Sequence, residues 1–234
     1  MTRVTGPCLH RRPFAPSRLR VLAIVCCVLL AISLRASTLQ SPTVTTAIVS
    51  LPPELAAPVA AALATEVVTV TVGAAKLEFW WAKSLALRAG GSSTPSWADV
   101  PDGSLVGALR LGADWRDIRG YTIRAGVYTL RFALQPQNGD HMGISPNREF
   151  LLPSPAADDV AADPVGYEGA VALARKSSRR AHPASISIDP PASTARLLSA
   201  TTNDLGHQVV TVSVPTSSGT PLTFGIVVEG SIDN

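Results

Sequence analysis

A chain of 234 residues, 46% hydrophobic and only 16% charged, is long and apolar enough to bury a core, which excludes a disordered polymer. The formal charge of +3 belongs to a leader. Arg3, Arg11, Arg12, Arg18, Arg20 and Arg35 precede Ser37 with no acid among them, and without these six of the 20 basic residues the other 14 face 17 acids. No basic stripe remains beyond Arg175-Lys176 and Arg179-Arg180, so nucleic acid is not an expected partner.

The first 36 residues read as an export signal. Arginines precede the apolar run Val21–Leu34, and small residues follow at Ala31, Ser33 and Ala36, the layout of a secretory leader cut after Ser33 or Ala36. The run is shorter than the roughly 20 residues that span a bilayer. An uncleaved anchor is the alternative, and the only membrane contact expected. Arg11-Arg12-Pro13-Phe14 has a twin-arginine look, but Ala15 and Pro16 depart from that pattern. Cys8, Cys26 and Cys27 all lie in the leader, so a cleaved chain has no cysteine, and disulfides, thiol nucleophiles and zinc-thiolate sites are excluded.

Residues 37–65 read as a polar tether and an alanine-rich segment that Pro52-Pro53 opens, with a short helix at best because Pro58 limits what can form before it. From residue 66 to 234 a single domain of short strands is expected. Val68, Val70 and Val72 share a face, as do Leu77, Phe79 and Trp81, with Glu78 and Trp80 opposite. Leu105, Leu109 and Leu111 fall on one side. Tyr128, Leu130, Phe132 and Leu134 line up with Thr129 and Arg131 turned out, after a hairpin turn at Arg124-Ala125-Gly126. Shorter runs at Glu149–Leu152, Ser185–Ile188 and Ala195–Thr201 add strands. Val210, Val212 and Val214, then Leu222, Phe224, Ile226 and Val228, close the series. Only Tyr167–Lys176 resembles a second helix, and 153–166 reads as a long connection. The fold class is therefore all-β: an antiparallel β-sandwich, with a barrel as alternative.

One segment gathers polar groups. Gln135, Gln137, Asn138, Asp140 and His141 crowd a strand end, with Gly139 and Gly143 freeing the backbone. Such a loop suits a small-molecule or protein ligand; equally, Asn138-Gly139 is a tight turn and Asp140 caps its own amides. Three histidines survive export, His141, His182 and His207, without local ligand spacing. A divalent metal site needs the fold to bring them together, with Asp140 or Met142 adding a ligand; no cofactor is the default. Asp114, Asp117, Asp158 and Asp159 are the carboxylates available to a hydrolase, and Asp117 with Arg119 also suits an ion pair. No serine elbow, phosphate loop or His-Glu-x-x-His helix occurs. Adjacent Trp80 and Trp81 must face opposite ways on one strand, so one plugs a second interface or lies exposed as a sugar platform, a role also open to Trp97.

Leu77-Glu-Phe-Trp-Trp, the block Asp117–Gly143 and Arg148-Glu-Phe-Leu-Leu resemble an uncharacterised family of exported bacterial proteins. His182-Pro-Ala, Asp189-Pro-Pro and Asn203-Asp-Leu-Gly-His fit the same resemblance. It implies export and a compact β domain, and carries over no activity and no catalytic residue. The expected function is an exported, periplasmic or secreted, non-catalytic binding protein that uses the 135–143 loop. The alternatives are a metal- or carboxylate-dependent enzyme built on Asp140, His141, His182 and His207, and a carbohydrate-binding module with an exposed tryptophan.

Overall fold

The computed structural model describes Thr2 and residues 41–90, 93–136, 147–178, 182–192 and 195–232. The expected leader, residues 1–36, lies outside them apart from Thr2. Gln40–Asn234 is one compact unit.

Alternation of β-branched and aromatic residues produces the strands the pattern calls for. They are β2 (Leu63–Val72), β3 (Ala75–Ala82), β4 (Leu105–Leu111), β5 (Trp115–Arg116), β6 (Thr122–Ile123), β7 (Gly126–Leu134), β8 (Glu149–Pro155), β9 (Ile186–Asp189), β10 (Ala200–Thr202), β11 (Gln208–Val214) and β12 (Leu222–Glu229). A further strand, β1 (Thr43–Ile48), corrects the reading of 37–65 as mere tether and helix. Its residues are mostly exposed, so no burial-driven alternation betrays it. Two helices occur among the described residues, α1 (Ala57–Ala62) with Pro58 in its first turn, and α2 (Gly166–Ser178).

All ten strands other than β5 and β6 form one antiparallel sheet in the order β1-β2-β3-β4-β7-β8-β9-β12-β11-β10. The sheet curls until it is nearly closed into a barrel, β12 returning against β2 and Leu85 bridging Thr216. The barrel alternative therefore describes the architecture better than two separate layers. Its interior holds Val68, Val70, Leu77, Phe79, Trp81, Leu109, Leu130, Phe132, Val210, Val212, Phe224 and Ile226, which are the inward sets expected from period-2 spacing. At the centre Trp81 stacks on Phe79 and meets Phe224 edge-on, while Trp97 stacks on Phe132.

One expectation about faces is corrected. Leu105 does not join Leu109 and Leu111; a register shift between Leu105 and Gly107 turns it to the outer face. Thr129 and Arg131 do point outward, yet both are fully buried, because the connection after β8 covers them.

Outer-face packing is tight where glycine interrupts a strand. A Cβ at Gly225 on β12 would overlap Cγ1 of Val209 on β11. Gly225→Ala is expected to cost about 1–3 kcal/mol through overpacking. Combined with Val209→Ala, the cost should fall short of the sum of the singles by more than about 1 kcal/mol. Urea unfolding of the four proteins measures this, and strict additivity would refute it.

Candidate functional site

The polar loop leaves the barrel between β7 and β8, where Leu134 pairs with Glu149. One residue further out the ladder still holds. The Gln135 N–H donates to the Arg148 carbonyl at 2.7 Å, and the Arg148 guanidinium donates back to the Gln135 carbonyl through Nε at 3.1 Å and Nη2 at 2.9 Å. Gln135 is half-buried at this base. Gln137, Asn138, Asp140 and His141 lie outside the described residues.

Asn147, at the other stem, donates its side-chain amide to Asp189 Oδ1 at 2.7 Å. Asp189 ends β9 and is buried. Its second oxygen accepts the amide of Asn203 at 2.6 Å. A carboxylate only accepts, so both amides must present their NH2 groups to it. Asn203 in turn accepts the backbone N–H groups of Leu205 and His207 on its side-chain oxygen, closing the turn between β10 and β11. His207 is buried there; Nε2 lies 3.1 Å from the Ser231 carbonyl, which can only accept, so Nε2 carries the proton. Its Nδ1 is buried with no partner among the described residues.

The fold thus links the loop stem Asn147, Asp189, Asn203 and His207 in one hydrogen-bonded chain. His182 is exposed beside Pro183, whose carbonyl accepts from Arg119. Among the described residues no three His, Cys, Asp or Glu side chains are placed to hold a metal ion. Sequence reading missed Asn147, Asp189 and Asn203 as parts of the site. The signal available was that Asp189-Pro-Pro and Asn203-Asp-Leu-Gly-His each put a polar residue at a strand end, with turn residues beside it.

The carboxylates named as hydrolase candidates are engaged elsewhere. Asp114 accepts the Ala125 N–H and closes the approach to β7. Asp117, with its side chain fully buried, accepts the N–H groups of Arg119 and Tyr121 and pairs with the Arg119 guanidinium at 2.9 Å, so the expected ion pair forms. Asp158 meets Lys176, and Asp159 meets Arg131, both buried on the outer face of β7. On the outer sheet face, burial pushes the Glu78 carboxyl up, but hydrogen bonds from Arg110 and Lys76 outweigh it and hold the group below its ordinary value. Of these pairs Glu78–Arg110 ties β3 to β4, while the others hold turns and connections.

Three of the four tryptophans are buried and Trp97 is half-buried. Trp80 is fully buried beneath α1, Trp81 and Trp115 are buried, and Trp97 packs between Phe132 and Phe224. Trp80 therefore plugs the second interface and presents no platform to a sugar.

Fold and site together define a nearly closed antiparallel barrel whose rim carries a polar loop on a hydrogen-bonded base. Comparison of the chain with protein-family models, with curated proteins and with solved structures returns no match.

Proposed function

We propose that the chain is an exported, non-catalytic barrel protein that binds a small molecule or a protein partner through the loop Gln135–Gly143. The observation that carries this reading is the base of the loop. Gln135 is locked to Arg148, and Asn147 to Asp189, so a segment rich in donors and acceptors springs from fixed stems. Binding groups set on a rigid frame lose less entropy when they engage a ligand. The engagement of Asp114, Asp117, Asp158 and Asp159 in structural bonds also supports binding over hydrolysis.

The test exchanges residues 137–142 for a Gly-Ser segment of equal length and compares both proteins in a ligand-observed NMR screen against a fragment library. Fragments that bind the parent and not the exchanged protein are expected. Equal binding by both, or none by the parent, overturns the proposal. Elemental analysis of the parent and His141→Ala runs alongside; a stoichiometric metal lost in the variant would replace this reading with a metal centre.

A further inference from the structure

The two outer strands of the sheet are not alike. β10 has only three residues, a short edge that offers little to another chain. β1 has six, Thr-Val-Thr-Thr-Ala-Ile, with no charge, no proline and an unbroken register from Thr43 opposite Thr71 to Ile48 opposite Glu66. Among the described residues nothing pairs on its far side. Folded proteins normally blunt such an edge with lysine, proline or a bulge, because its unpaired N–H and C=O groups are a template for another strand.

Register fixes which groups are unpaired. Val49 N–H donates to the carbonyl of Thr65, the residue directly opposite it in the same register, so 49 and 65 are a hydrogen-bonded pair. In an antiparallel ladder such pairs alternate. Ala47, Thr45 and Thr43 therefore bond to β2, and Val44, Thr46 and Ile48 turn their backbone groups to the open edge. Those same three residues lie on the barrel-interior side of the strand, since Val44 packs against the core opposite Val70. Ile48 is nonetheless 75% exposed.

We propose that the chain dimerises by antiparallel pairing of β1 with β1 of a second copy, on a twofold axis at Thr46. A second copy is favoured because this one register satisfies both copies at once. With Thr46 opposite Thr46, Val44 of each chain falls opposite Ile48 of the other. All outward-turned amides and carbonyls then meet as hydrogen-bonded pairs, and each exposed Ile48 gains an apolar cross-strand neighbour. No charge on β1 opposes the pairing.

Sedimentation of the purified chain at micromolar concentration should give about twice the chain mass. Thr46→Pro removes an N–H that faces the edge and not β2, so the variant should keep its circular dichroism spectrum and sediment as a monomer. A cysteine probe guards against misfolding of that variant. In a background with Cys8, Cys26 and Cys27 changed to serine, Thr46→Cys places two thiols on the axis with Cα atoms about 5.5 Å apart, within disulfide reach. Thr43→Cys places them about 20 Å apart at 3.4 Å per residue. Oxidised glutathione should link the first into a covalent dimer and leave the second unlinked. A monomeric parent, or equal linking at both positions, overturns the proposal and returns the edge to some other occupant.

Discussion

Replacing Arg131 by alanine is expected to remove about 3–5 kcal/mol of stability, the cost of stranding a buried charge. Arg131 and Asp159 are 0% and 1% exposed at their side chains. Nε and Nη2 donate to the two carboxylate oxygens at 2.6 and 2.7 Å, and Thr129 donates to the same carboxylate. The rest of the guanidinium reaches the carbonyls of Gly103, Ala161 and Asp163. One side chain therefore ties the entry to β4, the connection after β8 and the approach to α2 onto the outer face of β7. Asp159→Ala should cost a similar amount, because it leaves the cation unpaired. The pair Arg131→Met with Asp159→Leu should cost clearly less than the sum of the single alanine variants, since no buried charge is left. It will not recover everything, because three carbonyls lose their donor. Urea unfolding of the three variants and the parent decides the matter. A loss below about 1 kcal/mol for Arg131→Ala would show that water enters the site and screens the charge.

That pair also marks how far the sequence could be read. Alternation places Arg131 on the outer face of β7, and it is there. Period-2 spacing reports which way a side chain points and is silent about what lies over it, so an outward arginine under a loop looks like one in water. Asp159 is equally opaque: in the run Asp158-Asp159 nothing local separates the residue bound to exposed Lys176 from the one bound to buried Arg131. The inward sets of β2, β3, β7, β11 and β12 were legible because apolar residues recur at alternate positions where the strands are buried. β1 was not, because an exposed edge strand has no need to alternate. Leu105 failed for a third reason: a bulge adds one residue to one strand, and parity beyond it inverts. At the candidate site the loop was legible as polar, while its base was not. Asn147, Asp189 and Asn203 are brought together by strand pairing between segments far apart in the chain, which no spacing rule encodes.

Trp80 supplies the second large effect, and it bears on the packing of α1. The indole is fully buried on the outer face of β3, among Leu55, Val59, Leu63, Val67, Leu105 and Ala108. Helix α1 has only six residues, too few to persist without tertiary contacts. It stays helical because Val59, its one buried residue, presses into this cluster. Trp80→Ala is expected to cost about 3–5 kcal/mol, the usual loss for emptying a buried aromatic site. Local hydrogen exchange should also show residues 57–63 losing protection before the sheet does, since the indole is the largest side chain of the cluster that Val59 enters. Trp80→Phe separates shape from polarity. Among the described residues the buried Trp80 Nε1–H has no acceptor, so phenylalanine removes an unpaired donor while keeping an aromatic ring beneath the Arg110 guanidinium, which sits 5.3 Å from the ring centroid. Gain from the lost donor offsets part of the lost volume, and the phenylalanine variant should fall within about 1.5 kcal/mol of the parent. If instead both variants lost the same stability, the indole nitrogen would be bonded in solution. Unchanged protection of 57–63 in Trp80→Ala would mean that the helix is held by its connection to β2, through Leu63, and not by the ring beneath it.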